Sequence, residues 1–238
     1  MKPNYEEKLA EGEKLCDLAL EEAHHGHHLE ALDLFNQAEQ AFQSLNHAPW
    51  LTFIQHEKLS PLKSLNRQDD WLEATNLALS GYRELNNDKG LCLLLLFVAH
   101  QAQEAQEDHI ALMRLQEAEA IAIAQGVTEL IATIQARLAV QLLLSEDYAQ
   151  AGKKLNAALD SFTPEMGERY WVFEKLAFTY RALSLFPQAE EAYLNAIEGY
   201  LQLNEKEAAR AAIEDLLSFY QKAGRNKEAK SLVKRLDL

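Results

Sequence analysis

Apolar and small residues recur along this chain at helical spacing, most clearly in "FEKLAFTYRALSLFPQAEEAYLNAI", residues 173 to 197. Phe173, Leu176, Ala177 and Tyr180 fall at i, i+3, i+4 and i+7, one face of a helix. Pro187 follows where a second helix would begin, the one place its missing N–H costs nothing. That second helix carries a small–large–small triad, Ala189, Tyr193 and Ala196, again on one face. The pattern predicts two helices joined by a short turn.

The triad returns along the whole sequence. It reads Ala31-Phe35-Ala38, Ala111-Leu115-Ala118 and Ala151-Leu155-Ala158, with a weaker Ala74-Ala78-Gly81 and a last Ala229-Val233-Leu236. The leading alanines, Ala31, Ala74, Ala111, Ala151, Ala189 and Ala229, are spaced evenly enough to define a repeat. A first-helix face precedes most triads. It reads Leu15, Leu18, Ala19, then Leu95, Val98, Ala99, Ala102, then Leu138, Ala139, Leu142, and finally Ile213, Leu216, Leu217, Tyr220. The second copy departs, with Pro61 inside its first helix; this predicts a kink, or a short helix starting near Ser60 with Ser60 as cap. Linkers fall at 46–50, 86–90, 125–128, 162–165 and 203–206, and Thr163-Pro164-Glu165 reads as a helix start. Small residues let paired helices approach to ~8–10 Å, and large ones fill the space beside them. A single pair cannot bury both its faces, so stacked pairs must share a core.

Composition agrees. The chain has 238 residues, is 48% hydrophobic, and holds only 9 Gly and 5 Pro. No alternating β-branched run suggests a strand, so the expected class is all-α. Net charge is −14, which repels phosphate backbones and argues against nucleic-acid binding. Residues 221–238 carry a local excess of Lys and Arg, as suits a final helix whose C-terminus welcomes cations. The longest apolar run, "GLCLLLLFVAH", is too short for a bilayer, which needs ~20 residues. The N-terminus lacks a secretory pattern, so a cytoplasmic location is expected, with Cys16 and Cys92 reduced and buried.

The triads, with Leu176-Ala177-Tyr180 and Phe186-Pro187-Gln188-Ala189 as the closest match, resemble the tetratricopeptide repeat (TPR) family. A period near 40 looks like that family's longer-helix variants. The resemblance covers nearly the whole chain. It implies an all-α, right-handed α-solenoid of about six helix-turn-helix repeats, one domain over 1–238. The repeats would lie at approximately 5–46, 50–86, 90–126, 127–162, 164–203 and 205–238.

In that pattern a glycine sits in the intra-repeat turn, five residues before the leading alanine. Gly26 and Gly224 stand in that relation to Ala31 and Ala229. The stretch "HHGHH" therefore reads as a turn, with His24 and His25 ending one helix and His27 and His28 starting the next. Imidazoles are also metal ligands, so a site using His24, His28 and Glu21 stays open beside it. No metal or cofactor is expected.

Catalytic motifs are absent: there is no Walker loop, G-x-G-x-x-G, H-E-x-x-H or G-x-S-x-G. The resemblance implies instead a concave groove lined by first helices. It places Leu96 and His100 there from the third copy. Ala136, Val140, Leu143 and Leu144 come from the fourth, and Glu174, Phe178 and Arg181 from the fifth. Leu93, Phe97, Arg137, Trp171 and Lys175 flank them. The candidate groove is thus Leu93, Leu96, Phe97, His100, Arg137, Val140, Leu144, Trp171, Phe178 and Arg181. Two readings fit the apolar run at its head: an exposed docking surface, or a helix buried on all sides. The carboxylate clamp of some TPR proteins is missing, since Cys16, Leu20, Ser60 and Leu93 occupy the matching positions.

The expectation is a non-catalytic interaction module, an adaptor, assembly factor or regulator binding a protein or peptide segment. A peptide sensor and a self-assembling homo-oligomer are the alternatives. No nucleic-acid or membrane-spanning role is expected.

Overall fold

A computed structural model describes residues 5–162 and 167–235. Thirteen helices fall among the described residues: α1 (Tyr5–His24), α2 (His28–Gln43), α3 (Ala48–Glu57), α4 (Leu59–Ser64), α5 (Gln68–Glu84), α6 (Asp88–Glu104), α7 (Asp108–Gln125), α8 (Thr128–Leu144), α9 (Tyr148–Ser161), α10 (Glu168–Ala182), α11 (Phe186–Gln202), α12 (Lys206–Lys222) and α13 (Asn226–Arg235). The Thr163-Pro164-Glu165 start signal and Leu236 of the last triad lie outside the described residues.

The chain forms two compact units that divide between Val98 and Ala99. In the first, α1 packs on α2, and α2 on α3 and α4, which both pack on α5. In the second, each helix from α7 to α13 packs on the next, and α8 also touches α10. The triads form the cores. Phe35 and Ala38 are fully buried in the first unit, and Leu155, Ala158, Tyr193 and Ala196 are buried in the second. Each fully buried Leu or Phe contributes ~1.5–3 kcal/mol.

One turn geometry recurs between the helices. A residue with positive φ recurs at a constant interval from Gly26 through Asn46, Asn66, Asn86, Gln106 and Gly126 to Glu146, and the same interval separates Ser184, Asn204 and Gly224. The N–H after each donates five residues back, as in His27 to Glu22 (2.9 Å), Arg67 to Leu62 (2.9 Å), Asp147 to Leu142 (2.9 Å) and Arg225 to Tyr220 (2.8 Å). This is the Schellman closure, which satisfies carbonyls that the helix end leaves free. The residue in that donor position is also the N-cap of the next helix, as at His27, Glu107 and Glu205. "HHGHH" is such a turn: α1 ends at His24, α2 begins at His28, and Gly26 has φ +81°.

Glycine and asparagine tolerate positive φ, but Glu146 does not, and a side chain there costs roughly 1–2 kcal/mol. Glu146→Gly should therefore raise the unfolding free energy by about 1 kcal/mol, after the extra freedom of an unfolded glycine is set against it. Urea denaturation followed by circular dichroism reads this; no gain would mean the turn carries no strain.

The frame corrects one reading of the triads. Ala31, Ala111, Ala151, Ala189 and Ala229 each lie five residues after the positive-φ residue, and in the second hairpin that place is Trp71. The second triad is Trp71-Thr75-Ala78, all buried, and not Ala74-Ala78-Gly81. Ala74 and Ala78 mimic the pattern from one helical turn further on. The Trp71 indole is buried, and its Nε1 has no partner. The first helix of the same hairpin is interrupted at Lys58, between α3 and α4. Pro61 lacks the N–H that would reach the Glu57 carbonyl, so the ladder breaks there. Lys58 itself keeps helical φ and ψ, and it takes the N-cap position of α4 in place of Ser60.

Candidate functional site

Ten groove residues are divided by the unit boundary. Leu93, Leu96 and Phe97 belong to the first unit and the other seven to the second. The apolar run they open is mostly core. Leu91, Cys92, Leu94, Leu95 and Val98 are buried, Leu96 and Phe97 are half-buried, and only Leu93 is exposed, at 41%. Phe97 lies 6.4 Å from the His56 ring. The run is buried along one side, and Leu93, Leu96 and Phe97 lie on its more open side.

In the second unit the remaining residues gather along α8. His100, Arg137, Val140 and Trp171 line one cavity of about 380 Å³, together with Thr133, Ala136, Phe162 and Glu168. Val140 also opens on a second cavity of about 290 Å³, walled by Leu144, Phe178, Lys175, Tyr193 and Asp215. Leu144 in turn borders a third, of about 220 Å³, with His109, Leu112 and Gln141. Val140 and Leu144 are one turn apart on α8, about 6 Å along its axis, and each is shared by two neighbouring cavities.

Two exposed apolar side chains border these cavities. Leu144 is 63% and Phe178 40% exposed. Neither side chain is held out by a turn; both sit in mid-helix or in the last turn of regular α-helices. Arg181 lines none of these cavities, but its guanidinium lies 5.2 Å from the Phe178 ring and donates to the Tyr193 hydroxyl at 3.3 Å. Lys175 pairs with Glu174 at 2.7 Å and sits 5.5 Å over the Trp171 ring. Cations over aromatic faces hold those rings in place. Burial raises the Tyr193 pKa, and the nearby Arg181 charge works the other way.

Among the described residues no carboxylate lies in ion-pair reach of Arg137 or Arg181, while Arg67, Arg114, Arg210 and Arg225 all have one. Arg169 likewise has no carboxylate partner among the described residues; its contacts are the Phe162 carbonyl and the Phe173 ring. Sequence reasoning missed Phe162, Glu168, Tyr193 and Asp215 as lining residues. Phe162 caps the C-terminus of α9 and Tyr193 lies on α11, outside the first helices to which the groove rule applies.

Burial pushes the Cys16 thiol up to about 12 and raises that of Cys92, so neither is a thiolate nucleophile near neutral pH. At the histidine-rich turn, His27 Nδ1 lies 2.5 Å from Glu22 Oε2, and the His24 and His25 rings are 6.0 Å apart. Among the described residues no group of three or more His, Cys, Asp or Glu side chains is placed to hold a metal. Among them, too, no helix is long and apolar enough to cross a membrane.

No family model matches the sequence. No curated protein matches it either. Solved structures do match the fold. RapI in its apo form superposes with a TM-score of 0.73 at 12% identity, over 94% of this chain and 99% of that one. BtubC (BKLC) from P. vanneervenii gives 0.71 at 20% identity, over 83% of each chain. A Rap protein complexed with competence and sporulation factor gives 0.61 at 12% identity, over 95% of this chain and 74% of the other. These neighbours are TPR-like repeat proteins, and helices packed in consecutive pairs are what they share with this chain. The fold of this protein is therefore the TPR-like α-solenoid.

Proposed function

We propose that this protein is a non-catalytic interaction module whose second unit binds a segment of a partner protein along α8. The observation that carries the reading is the row of three cavities joined by Val140 and Leu144, with exposed Leu144 and Phe178 between them. A segment with several apolar anchors would fill the cavities that Val140 and Leu144 join. Arg137 and Arg181, which lack internal carboxylates, would pair with acidic side chains of the segment. The TPR-like fold is generally protein-binding and typically non-catalytic, although Rap phosphatases share it. One neighbour is complexed with competence and sporulation factor, which agrees with ligand binding by such folds.

The test compares the partner captured by the wild-type chain with that held by Phe178→Glu, Leu144→Glu and Arg137→Glu. Each substitution is at an exposed or half-buried position and should leave helicity unchanged by circular dichroism. Each should weaken capture by about tenfold or more, a loss of about 1.4 kcal/mol. A partner that all three variants hold as well as the wild type would place the site elsewhere.

A further inference from the structure

The second hairpin breaks the rules that its sister hairpins follow, and it does so around one polar cavity. Eight residues before the positive-φ turn residue, the other hairpins carry Leu18, Val98, Leu138, Leu176 and Leu216, all buried except Leu18. The second carries Lys58, whose side chain is only 9% exposed. Putting an ammonium at an apolar core position carries a desolvation penalty even after pairing. Local rules broken at a cost to stability are expected at functional sites. Pro61 and Trp71 are further departures in the same hairpin. Lys58 and Pro61's neighbour Leu62 both line a cavity of about 190 Å³ between α2, α4 and α5.

The wall of this cavity is mostly polar and carries both signs of charge. The Lys58 ammonium has three N–H donors. One goes to Glu39, which also accepts from Gln55 Nε2 at 3.0 Å. Two remain for a ligand. Arg67 donates through Nε to Asp70 at 2.7 Å and keeps its other guanidinium N–H groups. Glu73, also on the wall, has no cation in reach among the described residues. A simple anion here would meet three carboxylates, and a simple cation would meet Lys58 and Arg67. A molecule with both charges satisfies both. At ~30 Å³ per water the cavity has room for about six waters, which is the scale of a small zwitterion.

We propose that this cavity binds a free α-amino acid with a small side chain. Its carboxylate accepts from Lys58 and Arg67, and its ammonium donates to Glu73. The apolar patch of Leu32, Leu62 and Leu77 receives the side chain.

Titration calorimetry on the full chain tests this, with each common amino acid, its N-acetylated form, its C-amidated form, and inorganic phosphate. At least one small free amino acid should bind saturably at one per chain, and blocking either end should weaken it by about tenfold or more. Glu73→Gln, at an exposed position, should weaken binding to a similar degree. So should the double variant Lys58→Met/Glu39→Gln, which removes both charges together and keeps the core filled. The proposal is overturned if no free amino acid binds at millimolar concentration, or if phosphate alone binds. Blocked forms that bind as well as free ones, or variants that bind as the wild type does, overturn it equally.

Discussion

Glu39→Gln alone should lower the unfolding free energy by about 3 kcal/mol, whereas Lys58→Met with Glu39→Gln should restore or exceed wild-type stability. The reason lies in how Lys58 is held. Its side chain is nearly buried, at 9% exposure, and Glu39 supplies the only carboxylate paired with it among the described residues. Removing that carboxylate leaves a nearly buried ammonium without a paired carboxylate among the described residues, facing only the cavity and its other wall. Removing both charges returns the site to the apolar character that Leu138, Leu176 and Leu216 have in sister hairpins. Gln at position 39 can still accept from Gln55, so the remaining amide keeps a partner. Urea denaturation of the wild type, both single variants and the double variant closes a double-mutant cycle. A single variant as stable as the wild type would show that water already reaches the pair.

Gly199→Ala should cost up to about 3 kcal/mol, the largest effect expected of a single added methyl group. Gly199 lies on α11 and is buried where the Tyr170 ring of α10 crosses it. A Cβ built there falls 1.9 Å from Tyr170 Cδ1 and 2.1 Å from Cγ, far inside van der Waals contact. Cγ is the ring atom nearest the backbone, so twisting the ring about its own axis does not clear it. The whole side chain must leave its rotamer, or the two helices must move apart. On a Tyr170→Ala background, Gly199→Ala should cost almost nothing further, because the clash then has no second party. If Gly199→Ala melts at the wild-type temperature, the close contact is not part of the stable fold.

The helices themselves were legible because the small–large–small triad combines two constraints, helical period and close approach, that few other sequences satisfy. The frame slipped only in the second hairpin. There Trp71 stands where an alanine is the rule, and Ala74 and Ala78 imitate the triad one turn later. Turns were visible where glycine or asparagine marked them, as at Gly26, Asn86 and Asn204, and before Pro187, where Ser184 turns; Gln106 and Glu146 carried no such mark. At all three, Ser184, Gln106 and Glu146, the helices on either side impose the conformation against the residue's own preference. The cavities along α8 were legible as far as first-helix residues line them. The TPR resemblance picked His100, Arg137, Val140 and Trp171 from three first helices, α6, α8 and α10, and one cavity brings them together. Phe162 and Tyr193 reach the same surfaces from a helix cap and a second helix, which only tertiary packing brings near. The polar cavity of the second hairpin had no sequence motif. Its signal is an exception to a repeat, readable once the repeat has a fixed register.

That register has a genetic corollary. From Gly26 to Glu146 the junction within a hairpin and the junction between hairpins close the same way, evenly spaced, so each of these joints is a sound place to cut and splice. Unequal crossing-over between two such joints one hairpin apart would add or delete a whole hairpin and leave a native joint at the seam. Length in this protein is thus free to drift by quanta of one hairpin, and idiosyncratic modules such as the one bearing Lys58 can be inherited, copied or lost intact.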